Sequence, residues 1–266
     1  MNLGNKIAII TGAGGGGTGR ATARRFARAG ALVVVNDVSE AGGRETVALI
    51  ESAGGRAAFC QADIGSESGV ENLIDFAGST FGGVDVLVNN ASSPDGLGQF
   101  TGWIECMQIE VLGPMRAILA AIEVMRRRGS GTIVNVGSTS ALGHGRRHSS
   151  WPSYDTAKMA MMRLTTTLAP LRDQANIRVN CIVPSWIASP GPKEYWESLT
   201  PEQRKERGVP ETLISLEEMA DAIFRLATDE ELFGRIMVLW NGEPPLLIAT
   251  GDRGYERLEA LPEIRP

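Results

Sequence analysis

The N-terminal segment of the chain combines a short apolar stretch, a glycine-rich loop and a helical stretch. Residues 6–10 are mainly apolar and rich in isoleucine, a pattern typical of a strand buried in a parallel sheet. Six of the nine residues at positions 11–19 are glycine, and residues 20–29 predict a helix that ends at Gly30. Glycine lets the backbone turn tightly and approach a ligand, and a helix N-terminus attracts anions. The order strand, glycine loop, helix therefore predicts a βαβ unit that binds a pyrophosphate.

An acidic residue follows the second predicted strand, at the distance expected for a dinucleotide site. Residues 31–36 predict that strand, and Asp37 comes directly after it. The glycine pattern alone is weak evidence, because it fits G-x-G-x-x-G in two registers and also suits a flexible turn. A flexible turn does not explain Asp37, whose carboxylate can bind ribose hydroxyls and repel a 2′-phosphate. We therefore expect a site that prefers NAD(H), and Arg20 is the residue that could reverse this preference by reaching a phosphate.

Strand patterns and helical patterns alternate along the rest of the chain. Repeated βαβ units predict an α/β, Rossmann-like fold, with a doubly wound parallel sheet and helices on both faces, in a single domain spanning residues 1–266. Ligands of such sheets bind at the carboxyl ends of the strands. The predicted strands are 57–60, 84–88, 132–136, 177–183 and 236–239, and the predicted helices are 67–81, 103–128 with an interruption at Gly113-Pro114, 153–175 and 216–228.

Two segments do not fit this alternation. Residues 189–215 contain four prolines and are expected to form a long irregular loop, a kind of segment that often serves as a lid. Trp186, Tyr195 and Trp196 either line a ligand or fix this loop to the domain. The tail 243–266 is not an obvious sheet element, and we expect it to pack on a neighbouring subunit or to fray.

Tyr154 and Lys158 form a second candidate site. Residues four apart in a helix lie on one face, so the Lys158 ammonium is expected beside the Tyr154 phenol. A nearby positive charge favours the phenolate and is expected to bring the tyrosine pKa down from about 10 toward neutrality. Ser138 follows the predicted strand 132–136, where its hydroxyl could hold a substrate oxygen. The alternative is an ordinary helix with a surface tyrosine and lysine, since the motif alone is only suggestive.

Together these motifs resemble the short-chain dehydrogenase/reductase family over nearly the whole chain. The family pattern Thr-Gly-x-x-x-Gly-x-Gly occurs with one extra residue at 11–19, and Asn-Asn-Ala at 89–91 is similar to its Asn-Asn-Ala-Gly motif. The resemblance implies that Ser138, Tyr154 and Lys158 are catalytic and that Asp63 faces the adenine. The cofactor-binding residues that it implies are Gly12, Gly17, Thr18, Gly19, Asp37, Asp63, Ile64, Asn90, Ala91, Tyr154, Lys158, Pro184, Ile187 and Ser189.

Two residues depart from the family pattern. Ser92 stands where Asn-Asn-Ala-Gly has glycine, and Glu110 aligns with the helix-borne catalytic asparagine. Glu110 is a further candidate catalytic residue, because its backbone carbonyl could brace the water that asparagine would brace, while its carboxylate adds a charge. It could instead weaken proton relay, or mark a chain that binds the cofactor without turnover.

The resemblance implies an NAD(H)-dependent oxidoreductase that interconverts a secondary alcohol and a ketone by a Ser-Tyr-Lys mechanism. In this family the region equivalent to residues 185–215 covers the substrate. One alternative is a 3-oxoacyl-thioester reductase, in which Arg146 and Arg147 meet an acidic or phosphorylated substrate, although these arginines also suit a solvated loop. A second alternative is a catalytically weak protein that binds and senses a dinucleotide.

Composition bears on partners and location. A net charge of −5 gives no electrostatic reason to expect nucleic acid or anionic membranes. Three scattered cysteines fit reduced core thiols of a cytoplasmic protein, and neither of the two histidines has a partner at metal-ligand spacing. No apolar run approaches the roughly 18 residues of a membrane span. The resemblance, with the apolar surface of helices 103–128 and 153–175 and the methionines at 159–162, predicts a homotetramer, or failing that a dimer.

Overall fold

Eight strands in the described parts of the chain form one sheet. The structure, a computed structural model, describes residues 3–93, 102–143 and 152–250. The strands are β1 (Ile7–Thr11), β2 (Leu32–Asp37), β3 (Arg56–Gln61), β4 (Val86–Asn89), β5 (Gly131–Val136), β6 (Ile177–Pro184), β7 (Ile236–Leu239) and β8 (Leu246–Leu247). They follow the order β3-β2-β1-β4-β5-β6-β7-β8, and only β8 runs antiparallel to its neighbour. The strand order reverses between β1 and β4, as in a doubly wound sheet, which confirms the predicted fold class.

Helices cover both faces of this sheet. Alternate residues of a strand face opposite sides, so Ile10 packs in one core with Phe26 and Phe224, while the neighbouring Ile9 packs in the other core with Ile118. In the described ranges no helix combines the length and the apolar character that a bilayer span requires. The helices are α1 (Thr18–Arg28), α2 (Glu40–Glu51), α3 (Glu67–Phe81), α4 (Trp103–Met107), α5 (Gly113–Arg128), α6 (Pro152–Thr167), α7 (Leu171–Ala175), α8 (Pro190–Glu197), α9 (Pro201–Arg207) and α10 (Leu216–Thr228).

The segment predicted as an irregular loop at 189–215 contains α8 and α9, so that prediction was wrong. Pro190 and Pro201 stand in the first turn of these helices, where the missing N–H breaks no helical hydrogen bond. Thr200 and Gln203 form a reciprocal capping box at the start of α9. Two of the four prolines therefore begin helices instead of preventing them.

Other elements also differ from their predictions. The tail contributes Leu246 and Leu247 to the sheet as β8, which was not predicted because two residues are too few to show a period. The predicted helix 153–175 is divided into α6 and α7 near Pro170. Helix α2 was not predicted, because two adjacent glycines weaken its helical pattern. Residues 251–266 of the tail lie outside the described part of the chain.

The helical stretch 103–128 runs through a π-turn at Gln108–Leu112 between α4 and α5. The irregular turn ends one residue before the interruption predicted at Gly113-Pro114, and these two residues instead begin α5. A Cβ atom on Gly113 would stand 2.2 Å from the carbonyl oxygen of Ile64, so glycine allows the helix to pack on the loop that follows β3. π-Turns change the direction in which side chains project and are frequent at functional sites. This one carries Glu110, which is buried.

Several apolar side chains on α4 to α6 remain exposed. Of the methionines expected to supply spare apolar surface, Met161 and Met162 are buried in the core and were wrongly assigned to the surface. Met159 is 43% exposed, and Leu119 on α5 is 63% exposed. Ile104 on α4 is also exposed, so the apolar surface expected on these helices exists and combines the predicted Met159 with residues that were not named.

Candidate active site

The carboxyl ends of the central strands bring the glycine loop against the segment that follows β4. Thr11 Oγ1 accepts hydrogen bonds from the backbone amides of Asn90 and Ala91 at 2.9 and 3.0 Å. Asn90 Nδ2 donates to the carbonyl oxygens of Thr11 and Gly12 at 2.8 and 3.2 Å. Gly12 has a φ of +64°, and a Cβ atom there would lie 2.6 Å from Ala91 Cα. The loop is thus held in a conformation that favours glycine.

The N-terminus of α1 is open to an anion. The helix begins at Thr18, its N-cap residue Gly17 provides no side-chain cap, and its first turn holds no acidic residue. The first N–H groups of a helix have no acceptor within the helix and carry a partial positive charge. Gly19 packs against the Gly12 carbonyl, and Ser189 lies next to Gly17 on the opposite side. This arrangement of uncapped amides and glycines fits the diphosphate of a dinucleotide.

Asp37 lies at the carboxyl end of β2 beside the glycine loop. Its carboxylate accepts hydrogen bonds from the backbone amides of Gly14 and Ser39 at 2.7 and 2.9 Å. The Arg20 guanidinium forms an ion pair with Glu45 at 2.6 Å and donates to the Gly14 carbonyl oxygen at 2.7 Å. The residue that could have favoured a 2′-phosphate is therefore already paired with a carboxylate.

The loop after β3 is fixed by its own polar groups. The Asp63 carboxylate is exposed and accepts a hydrogen bond from the Gly65 amide at 2.8 Å. The neighbouring Ile64 side chain is buried in the core, and its carbonyl lies against Gly113. This contact ties the predicted adenine loop to the helix that carries Glu110.

Ser138 and Tyr154 are brought together from β5 and α6. The Ser138 side chain caps the short helical turn Thr139–Leu142 and accepts hydrogen bonds from the Ser140 amide and hydroxyl at 3.2 and 3.0 Å. Ser138 is also near enough to the Tyr154 phenol to lower its pKa. The Lys158 ammonium lies 5.2 Å from the centre of the Tyr154 ring. The three predicted catalytic side chains therefore share one site.

The charge balance at Tyr154 differs from the sequence-based expectation. Burial raises the pKa of the Tyr154 phenol above its usual value, and the Lys158 ammonium only partly offsets this increase. The Glu110 carboxylate adds to the increase, whereas the hydrogen bond with Ser138 opposes it. The expectation of a lowered tyrosine pKa was wrong for this state, because it included neither the burial of the phenol, which is the largest cause, nor a second charge beside Lys158.

That second charge belongs to a buried ion pair. Glu110 Oε2 lies 2.8 Å from Lys158 Nζ, and the two residues are only 2% and 4% exposed. Lys158 Nζ also donates to the Val136 carbonyl oxygen at 3.0 Å. Burial by itself lowers the lysine pKa, but the carboxylate more than offsets this and holds the pKa above its ordinary value. Both groups are therefore ionised near neutral pH.

The second carboxylate oxygen of Glu110 is held by Ser92 and by Ser93, of which sequence reasoning had singled out only Ser92, without a role. Ser92 Oγ donates to Glu110 Oε1 at 2.5 Å. The Ser93 amide and hydroxyl donate to the same oxygen at 2.8 and 3.1 Å. Ser92 and Glu110 are both departures from the family motifs. That they depart together was the sequence signal that could have indicated their contact.

The segment after β6 lies beside the glycine loop. Pro184 ends β6, and Ile187 pairs with Ile214 as an isolated bridge. The Trp186 and Tyr195 rings stack with their centres 6.0 Å apart. Trp196, by contrast, donates its indole N–H to the Pro210 carbonyl and packs under Arg204, so it fixes α8 to the segment around α9.

Some predicted features cannot be located in this structure. Arg146, Arg147 and both histidines fall in 144–151, outside the described ranges. Within those ranges no group of three or more His, Cys, Asp or Glu side chains is arranged to hold a metal ion. Cys60, Cys106 and Cys181 are buried free thiols.

Comparison with known proteins extends over most of the chain. A family model described as short chain dehydrogenase matches residues 6–199. An uncharacterized oxidoreductase of Thermotoga maritima is 38% identical, covering 88% of this chain and 94% of the relative. The 3beta-hydroxysteroid dehydrogenase 1 of Eggerthella lenta is 34% identical, covering 86% and 89%. A solved 7 alpha-hydroxysteroid dehydrogenase, complexed with NADH and 7-oxo glycochenodeoxycholic acid, matches with a TM-score of 0.80 at 30% identity, covering 91% of this chain and 95% of that one.

Proposed function

We propose that the chain interconverts secondary alcohols and ketones with NAD(H). It belongs to the short-chain dehydrogenase/reductase family and is an oxidoreductase of that family. The observation that carries this proposal is the convergence of three side chains: Lys158 Nζ lies 5.2 Å from the centre of the Tyr154 ring, and Ser138 is near enough to lower the pKa of the Tyr154 phenol. It combines a proton donor, an oxygen-binding hydroxyl and a positive charge at the edge of the sheet where the glycine loop lies. When bound there, the nicotinamide supplies or accepts the hydride.

The three side chains have complementary roles in this proposal. In reduction, Tyr154 gives its phenolic proton to the carbonyl oxygen, and Ser138 donates a hydrogen bond to the same oxygen. Lys158 stabilises the phenolate that remains. In oxidation, the phenolate accepts the proton of the alcohol. Because Ser138 is near enough to Tyr154 to lower its pKa, one substrate oxygen could contact both hydroxyls.

Several features support NAD(H) as the cofactor. Members of this family use nicotinamide dinucleotides, and one compared structure contains NADH. The glycine loop and the open N-terminus of α1 would hold the diphosphate. Asp37 would receive the adenosine ribose, and its negative charge opposes a 2′-phosphate. Arg20, the residue that could have compensated for this charge, is paired with Glu45.

The proposal extends to the substrate region, the assembly and the location. Residues 185–215 would cover the substrate, with the stacked Trp186 and Tyr195 as an apolar wall. Two of the compared proteins are named for hydroxysteroids, so cyclic ketones are the first compounds to assay. The exposed Leu119 and Met159 support a homotetramer. The buried free cysteines favour a cytoplasmic location.

The proposal is tested by following NADH oxidation with a panel of cyclic ketones. Tyr154→Phe and Ser138→Ala should each lower turnover by about 10²–10⁴-fold, while NADH binding stays nearly unchanged. Ser79→Ala, which removes an exposed hydroxyl on α3, is the matched control and should keep the full rate. Wild-type rates in Tyr154→Phe would overturn the assignment. Tight NADH binding without oxidation by any ketone would favour the sensing protein instead.

A further inference from the structure

Ser92 and Glu110 are the two residues that depart from the family motifs, and they touch each other. Ser92 Oγ donates to Glu110 Oε1 at 2.5 Å, and the Ser93 amide donates to the same oxygen at 2.8 Å. The other oxygen, Oε2, lies 2.8 Å from Lys158 Nζ. The carboxylate therefore links the segment after β4 to α6, with one oxygen directed to each side.

The surroundings of this carboxylate keep it charged. Burial alone would raise the Glu110 pKa, but Lys158 and the hydrogen bonds from Ser92 and Ser93 more than offset this and hold the pKa below its usual value. A neutral side chain at this position would leave the Lys158 ammonium buried without an anion, which is unfavourable. The charge at position 110 is therefore part of the electrostatics of the site.

We propose that Ser92 positions Glu110 as a fixed anion against Lys158, and that this anion weakens the stabilisation of the Tyr154 phenolate by Lys158. Tyr154 therefore stays protonated and serves as the proton donor in carbonyl reduction. This inference rests on the proposed function. Ser92 and Glu110 act through Lys158 and are positioning residues. Each turnover converts one ketone, one NADH and one proton into one alcohol and one NAD⁺. Tyr154 delivers the proton, and its phenolate regains one from water after the reaction.

The charged groups around Tyr154 come from several elements. On α6 these are Lys158 and Asp155, and from the π-turn Glu110. Ser138 approaches from the end of β5, and Cys181 faces Lys158 from β6. Burial raises the pKa of the Cys181 thiol to about 12, so this group is neutral near neutral pH. Among the described residues, Glu110 is thus the anion in direct contact with Lys158.

A direct titration of Tyr154 tests this inference without substrate or cofactor. Tyrosinate absorbance is followed against pH in the protein and in its Tyr154→Phe variant, and the difference isolates Tyr154 from the other two tyrosines. In the Glu110→Gln background the same difference should appear at lower pH, by about one unit or more, because Lys158 then acts on the phenolate without an opposing charge. An unchanged titration in folded Glu110→Gln protein would overturn the inference.

Steady-state assays add the directional part of the test. In Glu110→Gln and Glu110→Asn the alkaline limb of ketone reduction should move to lower pH, and alcohol oxidation near neutral pH should rise. A shifted tyrosine titration without turnover of any ketone would support the effect of the Glu110 charge on Tyr154 while rejecting the proposed function. Identical alkaline limbs of the pH profiles in active wild-type and Glu110→Gln proteins would reject the effect of the Glu110 charge on Tyr154.

The role of Ser92 is tested by a double-mutant cycle. Ser92→Ala keeps both charges, so it should fold, and it should move the Tyr154 titration in the same direction as Glu110→Gln but by less. Ser92→Thr retains the hydroxyl, so Tyr154 should titrate at the same pH as in the wild type. In the Glu110→Gln background, Ser92→Ala should add no further shift. Equal shifts in both backgrounds, or a lower melting temperature with no shift, would show that Ser92 is only structural.

Discussion

Replacing Glu110 by alanine is expected to destabilise the fold by about 3–5 kcal/mol. The carboxylate lies 2.8 Å from the Lys158 ammonium, and both side chains are almost completely buried. The substitution leaves Lys158 with the Val136 carbonyl as its acceptor at 3.0 Å, so a buried charge loses its anion. For a chain of this size such a loss corresponds to a fall in melting temperature of about 6–20 °C.

Thermal and urea unfolding at one fixed protein concentration measure this loss, because association contributes to apparent stability. The matched control is Glu123→Ala, whose exposed ion pair with Arg126 should be worth only about 0–1 kcal/mol. Replacing both Glu110 and Lys158 by methionine should recover most of the loss, since no unpaired charge remains buried. A loss below about 1 kcal/mol in Glu110→Ala would refute the reasoning.

The contribution of this ion pair also depends on pH in a defined direction. The Glu110 pKa is lowered from 4.5, so its stabilisation is complete above that value and is lost as the pH falls through the folded-state pKa. The Lys158 pKa is raised from 10.5, so its stabilisation is complete below that value and is lost as the pH rises through the folded-state pKa. The stability difference between wild type and Glu110→Gln should therefore shrink in strong acid, where the Glu110 carboxylate of the wild type becomes protonated. A difference that grows in acid would contradict the assignment.

Three further predictions concern the backbone, the cofactor and the assembly. Gly113→Ala should destabilise, because its Cβ would meet the Ile64 carbonyl at 2.2 Å, whereas Gly78→Ala, with nothing within 4 Å, should stabilise by about 0.5–1 kcal/mol in thermal unfolding. NADH should bind more tightly than NADPH, and Asp37→Ala should narrow the difference between their dissociation constants. Tighter binding of NADPH in a titration would reverse this conclusion. Light scattering should give a tetramer that Leu119→Glu weakens, and a mass near 28.4 kDa for the wild type would reject it.

Much of the fold could be predicted from local sequence patterns. Buried parallel strands leave continuous apolar runs, such as the one that precedes Gly12, and the glycine loop marks the first turn of the sheet. Ser138, Tyr154 and Lys158 could be placed together because a strand end and a helical spacing of four fix their positions. These signals are short in range, and each depends on a single element.

The remaining features depend on contacts between distant segments. The ion pair of Glu110 with Lys158 needs the π-turn, and no helical periodicity predicts where a π-turn falls. Ser92 reaches Glu110 only after β4 and the π-turn are packed together. The direction of the Tyr154 pKa shift follows mainly from burial of the phenol, with Glu110 adding to it, and neither effect could be predicted from the spacing of the tyrosine and the lysine. The helices α8 and α9 were missed for a different reason, because prolines were interpreted as breaks.

The most direct test of the central claim is a crystal structure of the protein with NADH and a cyclic ketone that it reduces. The ketone oxygen should lie within about 3.2 Å of both the Tyr154 phenolic oxygen and Ser138 Oγ. The adenosine ribose should lie at Asp37, and the diphosphate at the N-terminus of α1. A ketone bound away from Tyr154, or a nicotinamide remote from the ketone carbon, would contradict the account.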